Sequence, residues 1–318
     1  MLLRSGSDSV TIHGVRHARQ AANATFAIML YALQPVISEG AADAVESTVG
    51  ELPSAETILE HTFDRAKARD EAGVELSFES VVLSTVETIG PQGEVSETET
   101  RRWRRYPLER EVYEELVELD GAPLSPSQIY KESRKREAFV RSARRRSVRG
   151  YERDAKERRL RFGRHLMGRY RTVVAGTESV RGDDCWVLAF EPREGPLPSS
   201  GAMDRALNLS SGRLWIRKAD HELARVEFEM RGPVRYLWGL FATLRQASGE
   251  IDFRQVEPGI WLLSRFQIEL DLRLLAGMKA VCKRIHNHRV DYRRVGPDAS
   301  TDGPGRPWDR RARSLGVQ

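Results

Sequence analysis

The stretch GIWLLSRFQIELDLRLL, residues 259–275, alternates along most of its length. Ile260, Leu262, Ser264, Phe266, Ile268, Leu270, Leu272 and Leu274 take the even positions, while Arg265, Gln267, Glu269, Asp271 and Arg273 take odd ones. Side chains of a β-strand point alternately to its two faces, so this period predicts one long strand, apolar on one face and solvated on the other. A second stretch, GRLWIRKADHELARVEFEM at 212–230, alternates in two phases about the polar break Asp220-His221-Glu222. It predicts a hairpin in which Leu214 and Ile216 share a face on the first strand. Ala224, Val226, Phe228 and Met230 share one on the second.

More strands flank these two. Leu76 to Val86, Glu94 to Tyr106, Glu111 to Leu124, Tyr170 to Val174, Trp186 to Phe190, Leu244 to Val256 and Ala280 to Val295 all carry strand-like patterns. Asp120-Gly121 and Arg181-Gly182 supply turns, and few helical runs intervene. Sequential strands joined by short turns exclude a parallel βαβ fold. The expected class is mainly β with helices (α+β), a curved antiparallel sheet or unclosed β-barrel with a helical lid. Ile58, Leu59, Thr62, Phe63 and Ala66 recur at helical spacing after Ser54, so a helix is expected over 54–69 as one cover for the sheet. A very basic helical segment is expected over 125–166, with a narrow apolar stripe.

Hydrophobic residues make up 40% of the chain, which suffices for a folded core and excludes wholesale disorder. The formal charge of +5 is uneven, concentrated between Lys131 and Arg171. Such a segment reads as a solvated helix or as a surface for anionic partners. Residues 1–44 follow the order of a secretory signal: Arg4, Arg16 and Arg19, an apolar run from Ala21 to Leu33, then Ala42-Asp43-Ala44. Export to the periplasm is therefore expected, with one domain over 45–295 and a disordered tail over 296–318.

The signatures of known catalysis are missing: there is no nucleophile elbow, P-loop, zinc-protease helix or dinucleotide fingerprint. The chain reads as a non-enzyme without a cofactor. His286 and His288 would share a strand face, yet Lys283, Arg284 and Arg289 surround them and repel a cation, so no metal is assigned. Cys185 and Cys282 read as a disulfide or as two free thiols. Trp103, Trp186, Trp215, Trp238 and Trp261 read as core or interface anchors.

The layout resembles the bacterial outer-membrane lipoprotein-sorting proteins over roughly 52–295. The resemblance rests on LPSAETILEHTFDRAKAR (52–69), YEELVELDGAPLSPSQ (113–128), YRTVVAGTESVRGDDCWVLAFEP (170–192), SGRLWIRKADHELARVEFEM (211–230) and the final pair of strands. Its most specific elements are the Gly176-x-Glu178-x-Val180-x-Gly182 turn and Gly212-x-Leu214-Trp215-Ile216. The basic Lys131–Arg171 region departs from that pattern. The resemblance implies a non-enzymatic periplasmic carrier with a chaperone-like transport role, holding lipid or lipoprotein acyl chains. It also implies partners at an inner-membrane transporter and an outer-membrane acceptor. Candidate cavity residues are Leu188, Phe190, Leu214, Ile216, Val226, Phe228, Leu262, Phe266, Ile268 and Leu270. Arg144, Arg145 and Arg146 are candidates for contact with an anionic membrane surface. Two alternatives stand beside this: an envelope scaffold or sensor that binds a protein partner without lipid, and a cytoplasmic anion or nucleic-acid binder. The scarcity of interleaved aromatics disfavours nucleic acid.

Overall fold

A computed structural model describes residues 53–149, 162–199, 201–236, 242–274 and 279–295. The signal-like segment 1–44, the tail 296–318, Trp238 and the side chain of Arg146 lie outside the described residues.

Twelve strands form one antiparallel sheet: β1 (Phe78–Ile89), β2 (Val95–Leu108), β3 (Glu111–Leu119), β4 (Ala122–Pro123), β5 (Tyr170–Val180), β6 (Asp183–Pro192), β7 (Ser210–Arg217), β8 (Leu223–Met230), β9 (Val234–Tyr236), β10 (Ala242–Glu257), β11 (Ile260–Leu274) and β12 (Lys279–Arg294). Their spatial order is β4-β3-β2-β1-β12-β11-β10-β8-β7-β6-β5, with β9 beside β10, so the two ends of the sheet never pair and the barrel stays unclosed. Neighbours in sequence are mostly neighbours in space. The main exception is the antiparallel pairing of β1 with β12, which joins the first strands to the last. Asp120-Gly121 and Arg181-Gly182 turn the chain in two residues with left-handed backbone, φ 50° and 75°, then 55° and 90°. That handedness matches the twist of the flanking strands. Glu109-Arg110 makes the same kind of turn without a glycine, at φ 52° and 60°.

Two bulges break the alternation on which the sequence reading relied. Arg265 faces Asp252 and Leu263 faces Phe253, which leaves Ser264 as an extra residue whose Oγ donates to the Asp252 carbonyl at 3.1 Å. One extra residue reverses which parity points inward. Trp261 and Leu263 therefore join Phe266, Ile268 and Leu270 in the main core, while Ile260 and Leu262 pack in a separate cluster with Phe78. The even face expected for the whole strand holds only beyond Ser264. In the hairpin, Ile216 faces Leu223 and Trp215 faces Arg225, so Ala224 is the extra residue. Leu223 takes the core position, and Ala224 packs with Val180, Cys185, Val187 and Trp215 on the other face.

Across the covered face, Phe190, Gly212, Phe228, Gly249, Ile268 and Ile285 are successive cross-strand neighbours. The two glycines leave room for the rings beside them. A Cβ on Gly249 would lie 2.8 Å from Phe228 Cζ, and one on Gly212 would lie 2.9 Å from Phe190 Cζ. On the outer face, charges alternate across the strands. Asp252 is almost wholly buried there, 2.7 Å from Arg181, 2.9 Å from Arg225 and 2.8 Å from Arg265. Burial alone would raise its pKa, but the Arg225 hydrogen bond and the surrounding guanidiniums outweigh burial and hold it low.

Helix α1 (Ala55–Glu71) begins at Ser54, whose Oγ accepts from the Thr57 amide at 3.1 Å. Two short helices, α3 (Arg164–Met167) and α4 (Ala202–Leu207), contribute Leu166, Met167 and Ala206 to the same core that α1 covers. Most of the described part of the basic segment is helix α2 (Pro126–Arg149), which runs along β3. There Glu132 accepts from the Leu116 amide at 3.3 Å and Lys135 donates to the Glu114 carbonyl at 3.1 Å. Two side chains of α2 thus satisfy backbone groups on β3, which pairs with β2 on one side and only with the two-residue β4 on the other.

Gly249→Val should lower stability by about 1–3 kcal/mol, because the added carbons meet the Phe228 ring and the backbone of β11. Gly201→Ala, with open space around it and an extended φ of −164°, should change little. Urea denaturation compares them, and equal midpoints for the two variants would contradict the close-packed row.

Candidate functional site

Among the described residues, the apolar face between β5 and β11 gathers most of the predicted site residues. Leu188, Phe190, Leu214, Ile216, Val226, Phe266, Ile268 and Leu270 belong to one cluster, and Phe228 packs at its margin. Leu262 does not join them, because the Ser264 bulge turns it to the other side. The face is filled rather than empty. From α1, Ile58, Leu59 and Phe63 enter it, and each is at most 7% exposed. Thr62 lies among them and returns its hydroxyl to the Ile58 carbonyl at 2.8 Å.

What holds α1 in place is polar. Arg69 Nη1 lies 2.7 Å from Glu222 Oε2, with both side chains at most 2% exposed. Arg65 Nε stands 3.6 Å from the other carboxylate oxygen. Burial lowers the Arg69 pKa to about 10, against the pull of Glu222, and burial raises that of Glu222 against the pull of Arg69 and Arg65. Both directions show that desolvation is the larger effect and that each charge depends on the other. Glu222 sits at the β7–β8 turn, where its amide donates to Asp220 Oδ1 at 3.2 Å. Next to it His221, with φ 58°, packs its ring 4.8 Å from His61 of α1 and 5.0 Å from Trp186. Sequence reasoning took this tripeptide only as a turn. One signal was present: Ile58, Thr62, Arg65 and Arg69 follow one helical stripe, so two arginines extend the buried face.

Beside α1 lies a depression of about 850 Å³. Leu59, Phe63, Met167 and Tyr170 contribute apolar surface to it, and Glu60, Arg164, Arg171 and Glu191 contribute charge. Arg164 bridges Glu60 and Asp64 of α1, and Arg171 pairs with Glu191. This is the point where the covering helix meets the unpaired end of the sheet.

Toward β1, β2 and β12 the character changes. Ser80, Ser84, Arg105, Asn287 and Arg289 are buried, and Arg105 Nη2 lies 2.5 Å from Glu75 Oε1. Among the described residues, Ser80 Oγ and Asn287 Oδ1 have no hydrogen-bond partner. The sheet therefore carries an apolar half beneath α1 and a polar half beyond it.

The three arginines singled out in the basic segment do not form one free patch. Arg144 Nη2 is 2.7 Å from Glu109 of the β2–β3 turn, and Arg145 Nε donates to the Arg141 carbonyl at 3.1 Å. His286 and His288 stand opposite Gln267 and Arg265, and burial and Arg265 together lower the His288 pKa. Among the described residues no group of three His, Cys, Asp or Glu side chains is placed to hold a metal. No described helix is long and apolar enough to cross a membrane. Cys185 and Cys282 are free thiols, and burial pushes that of Cys185 up to about 11.

Glu222→Gln should cost roughly 3–5 kcal/mol, because Arg69 keeps its charge inside without a counterion. The histidine contact adds a pH dependence. Burial, then the neighbouring His61 and Arg65, lower the His221 pKa against the pull of Asp220. The unfolded chain takes up that proton near pH 6.5 while the folded chain resists it, so stability is complete above about pH 7 and falls as pH drops through about 6.5. His221→Asn, which tolerates the left-handed backbone, should flatten the wild-type slope of melting temperature against pH in this window. An unchanged slope would show that His221 is not the titrating group.

The chain is distantly similar to several solved structures. A LolA superfamily protein from Nitrosomonas europaea is 14% identical, covering 77% of this chain and 95% of its own, with a TM-score of 0.30. A putative outer membrane lipoprotein-sorting protein domain from Vibrio parahaemolyticus is 17% identical, covering 76% and 94%, with a TM-score of 0.34. The MucA/MucB complex of Pseudomonas aeruginosa matches at 11% identity, covering 76% and 99%, with a TM-score of 0.21. No family model and no curated protein matches the sequence. At these identities and scores the likenesses carry no argument about fold or activity.

Proposed function

We propose that the protein is a non-enzymatic carrier of acyl chains in the periplasm, and that α1 is the element that yields when cargo enters. The observation that supports this reading is the way the apolar face is covered. Helices, not a second sheet, cover it among the described residues: α1 contributes Ile58, Leu59 and Phe63 beside Leu166, Met167 and Ala206 of α3 and α4, and a buried Arg69–Glu222 pair anchors α1. An apolar anchor would merge with the core. An ion pair is a discrete contact that can be broken and remade.

The magnitudes are compatible with exchange. Exposing three such side chains costs roughly 5–9 kcal/mol at about 1.5–3 kcal/mol each. Burying an acyl chain returns about 0.8 kcal/mol per methylene, so roughly six to eleven methylenes offset the loss. Longer chains leave a surplus that favours loading. The depression beside α1 is where a chain would enter, and the polar half of the sheet would face its head group. In this reading lipoprotein acyl chains are the cargo, collected at an inner-membrane source and handed to an outer-membrane acceptor. No described contact favours the scaffold or nucleic-acid alternatives.

A fluorescent fatty acid titrated into the full chain tests this. The wild type should bind it with an emission shift to the blue. Glu222→Gln should bind more tightly although it is less stable, because the open state is more populated and less of the binding energy is spent on opening. If Glu222→Gln loses stability without gaining affinity, α1 is a fixed part of the core and the carrier reading fails.

A further inference from the structure

The outward face of α2 joins neither the core nor the sheet edge. Glu132, Arg136, Phe139 and Ala143 form the side turned to the protein: Ala143 is 2% exposed, and the Phe139 ring lies 4.9 Å from that of Tyr113. At 100° per residue the opposite side carries Tyr130, Lys131, Arg134, Glu137, Ala138, Arg141 and Arg145, and all of these are exposed. The sign of the face is unbalanced. Its acid, Glu137, lies 3.7 Å from Arg141, while Lys131 and Arg134 make no ion pair within 4.0 Å among the described residues. Other cations of the helix are engaged elsewhere, Lys135 on the β3 edge and Arg144 with Glu109.

The same helix begins with two large exposed hydrophobics. Tyr130 is 64% exposed and Ile129 is 56% exposed, and Val117, on the strand that the helix follows, is 40% exposed. A row of cations next to an exposed aromatic ring is the arrangement that adsorbs to the head-group region of an anionic bilayer. The cations meet lipid phosphates, and Tyr130 sits at the level where an amphipathic ring is most stable. At 100° per residue Lys131, Arg134, Arg141 and Arg145 fall within about 80° of one another, so they present one strip of charge to a plane. Nucleic acid also offers phosphates, but a binder of single strands stacks bases on several aromatics, and this face has one.

We infer that the outward face of α2, through Lys131, Arg134, Arg141, Arg145 and Tyr130, docks the protein on anionic phospholipid bilayers. The inference draws its purpose from the carrier reading, since cargo is collected and delivered at membranes. Its test is independent of cargo.

The full chain is co-sedimented with vesicles of phosphatidylcholine alone and of phosphatidylcholine with phosphatidylglycerol. The measure is the extra binding caused by the anionic lipid. The wild type should show it, and raised salt should remove it. Each basic residue at such a surface contributes about fivefold in partition coefficient, so Arg134→Gln with Arg141→Gln should lower the anionic component about 25-fold. Tyr130→Ala should lower it as well, and less steeply with salt. Arg235→Gln, an exposed cation on β9, should leave it unchanged. Melting temperatures and fatty-acid binding of all three variants should match the wild type, which separates loss of docking from loss of fold or of cargo. The inference is overturned if the wild type shows no preference for anionic vesicles or if the double variant retains it. It is also overturned if a single-stranded oligonucleotide, at equal phosphate concentration, displaces the vesicles from the wild type.

Discussion

An open sheet with one apolar face must have that face covered, and the rest of this molecule is arranged around the cover. A second sheet or full closure would hide the face permanently. Here closure fails, because β5 and the β3–β4 end never meet. The cover is α1 together with the short α3 and α4, and α1 is held by the Arg69–Glu222 pair in surroundings where each charge is stable only with the other present. The pair sets the position of the helix along the sheet, since a shift by one residue would leave two buried charges unmatched. In the proposed function it also makes the cover separable. Hydrophobic packing tolerates sliding, whereas an ion pair is either made or broken. The functional reading follows from this asymmetry between an adaptable apolar face and a discrete polar anchor.

The two ends of the sheet are treated differently. At β3 the chain blunts its edge with a two-residue strand and with Glu132 and Lys135 of α2. At β5 the protection is slighter. The register shifts between Val174 and Gly176, and the depression beside α1 borders the first residues of the strand. The two edges thus differ in how the described elements cover them. The helix that blunts the closed edge is also the one whose basic stripe faces outward. One element thus shields a strand and offers a surface.

Much of the architecture was legible. Periodicity identified the hairpin turns, the antiparallel order, the helix from Ser54 and the strand after Ser264, because alternation directly reports which face a side chain occupies. The errors have one cause. The runs Ile260-Trp261-Leu262-Leu263 and Leu223-Ala224 are apolar at both parities, so the pattern there does not say which side is inward. The bulges decided it, and a bulge is defined only by the partner strand. Leu262 and Ala224 were assigned to the wrong face for that reason.

For the site, the sequence alone determined which residues are apolar and share a sheet face, and eight of the ten candidates did come together in one core. It could not determine what covers them. Glu222 looks like a solvated turn residue until Arg69, 153 positions earlier, is brought against it. His221 looks like a turn histidine until His61 and Trp186 arrive on either side. Arg144 looks like a free cation until the β2–β3 turn delivers Glu109. Local pattern depends on neighbours within a few residues, and so it is written in the chain. Burial of a charge depends on a counterion brought from far away, and only the tertiary structure supplies it.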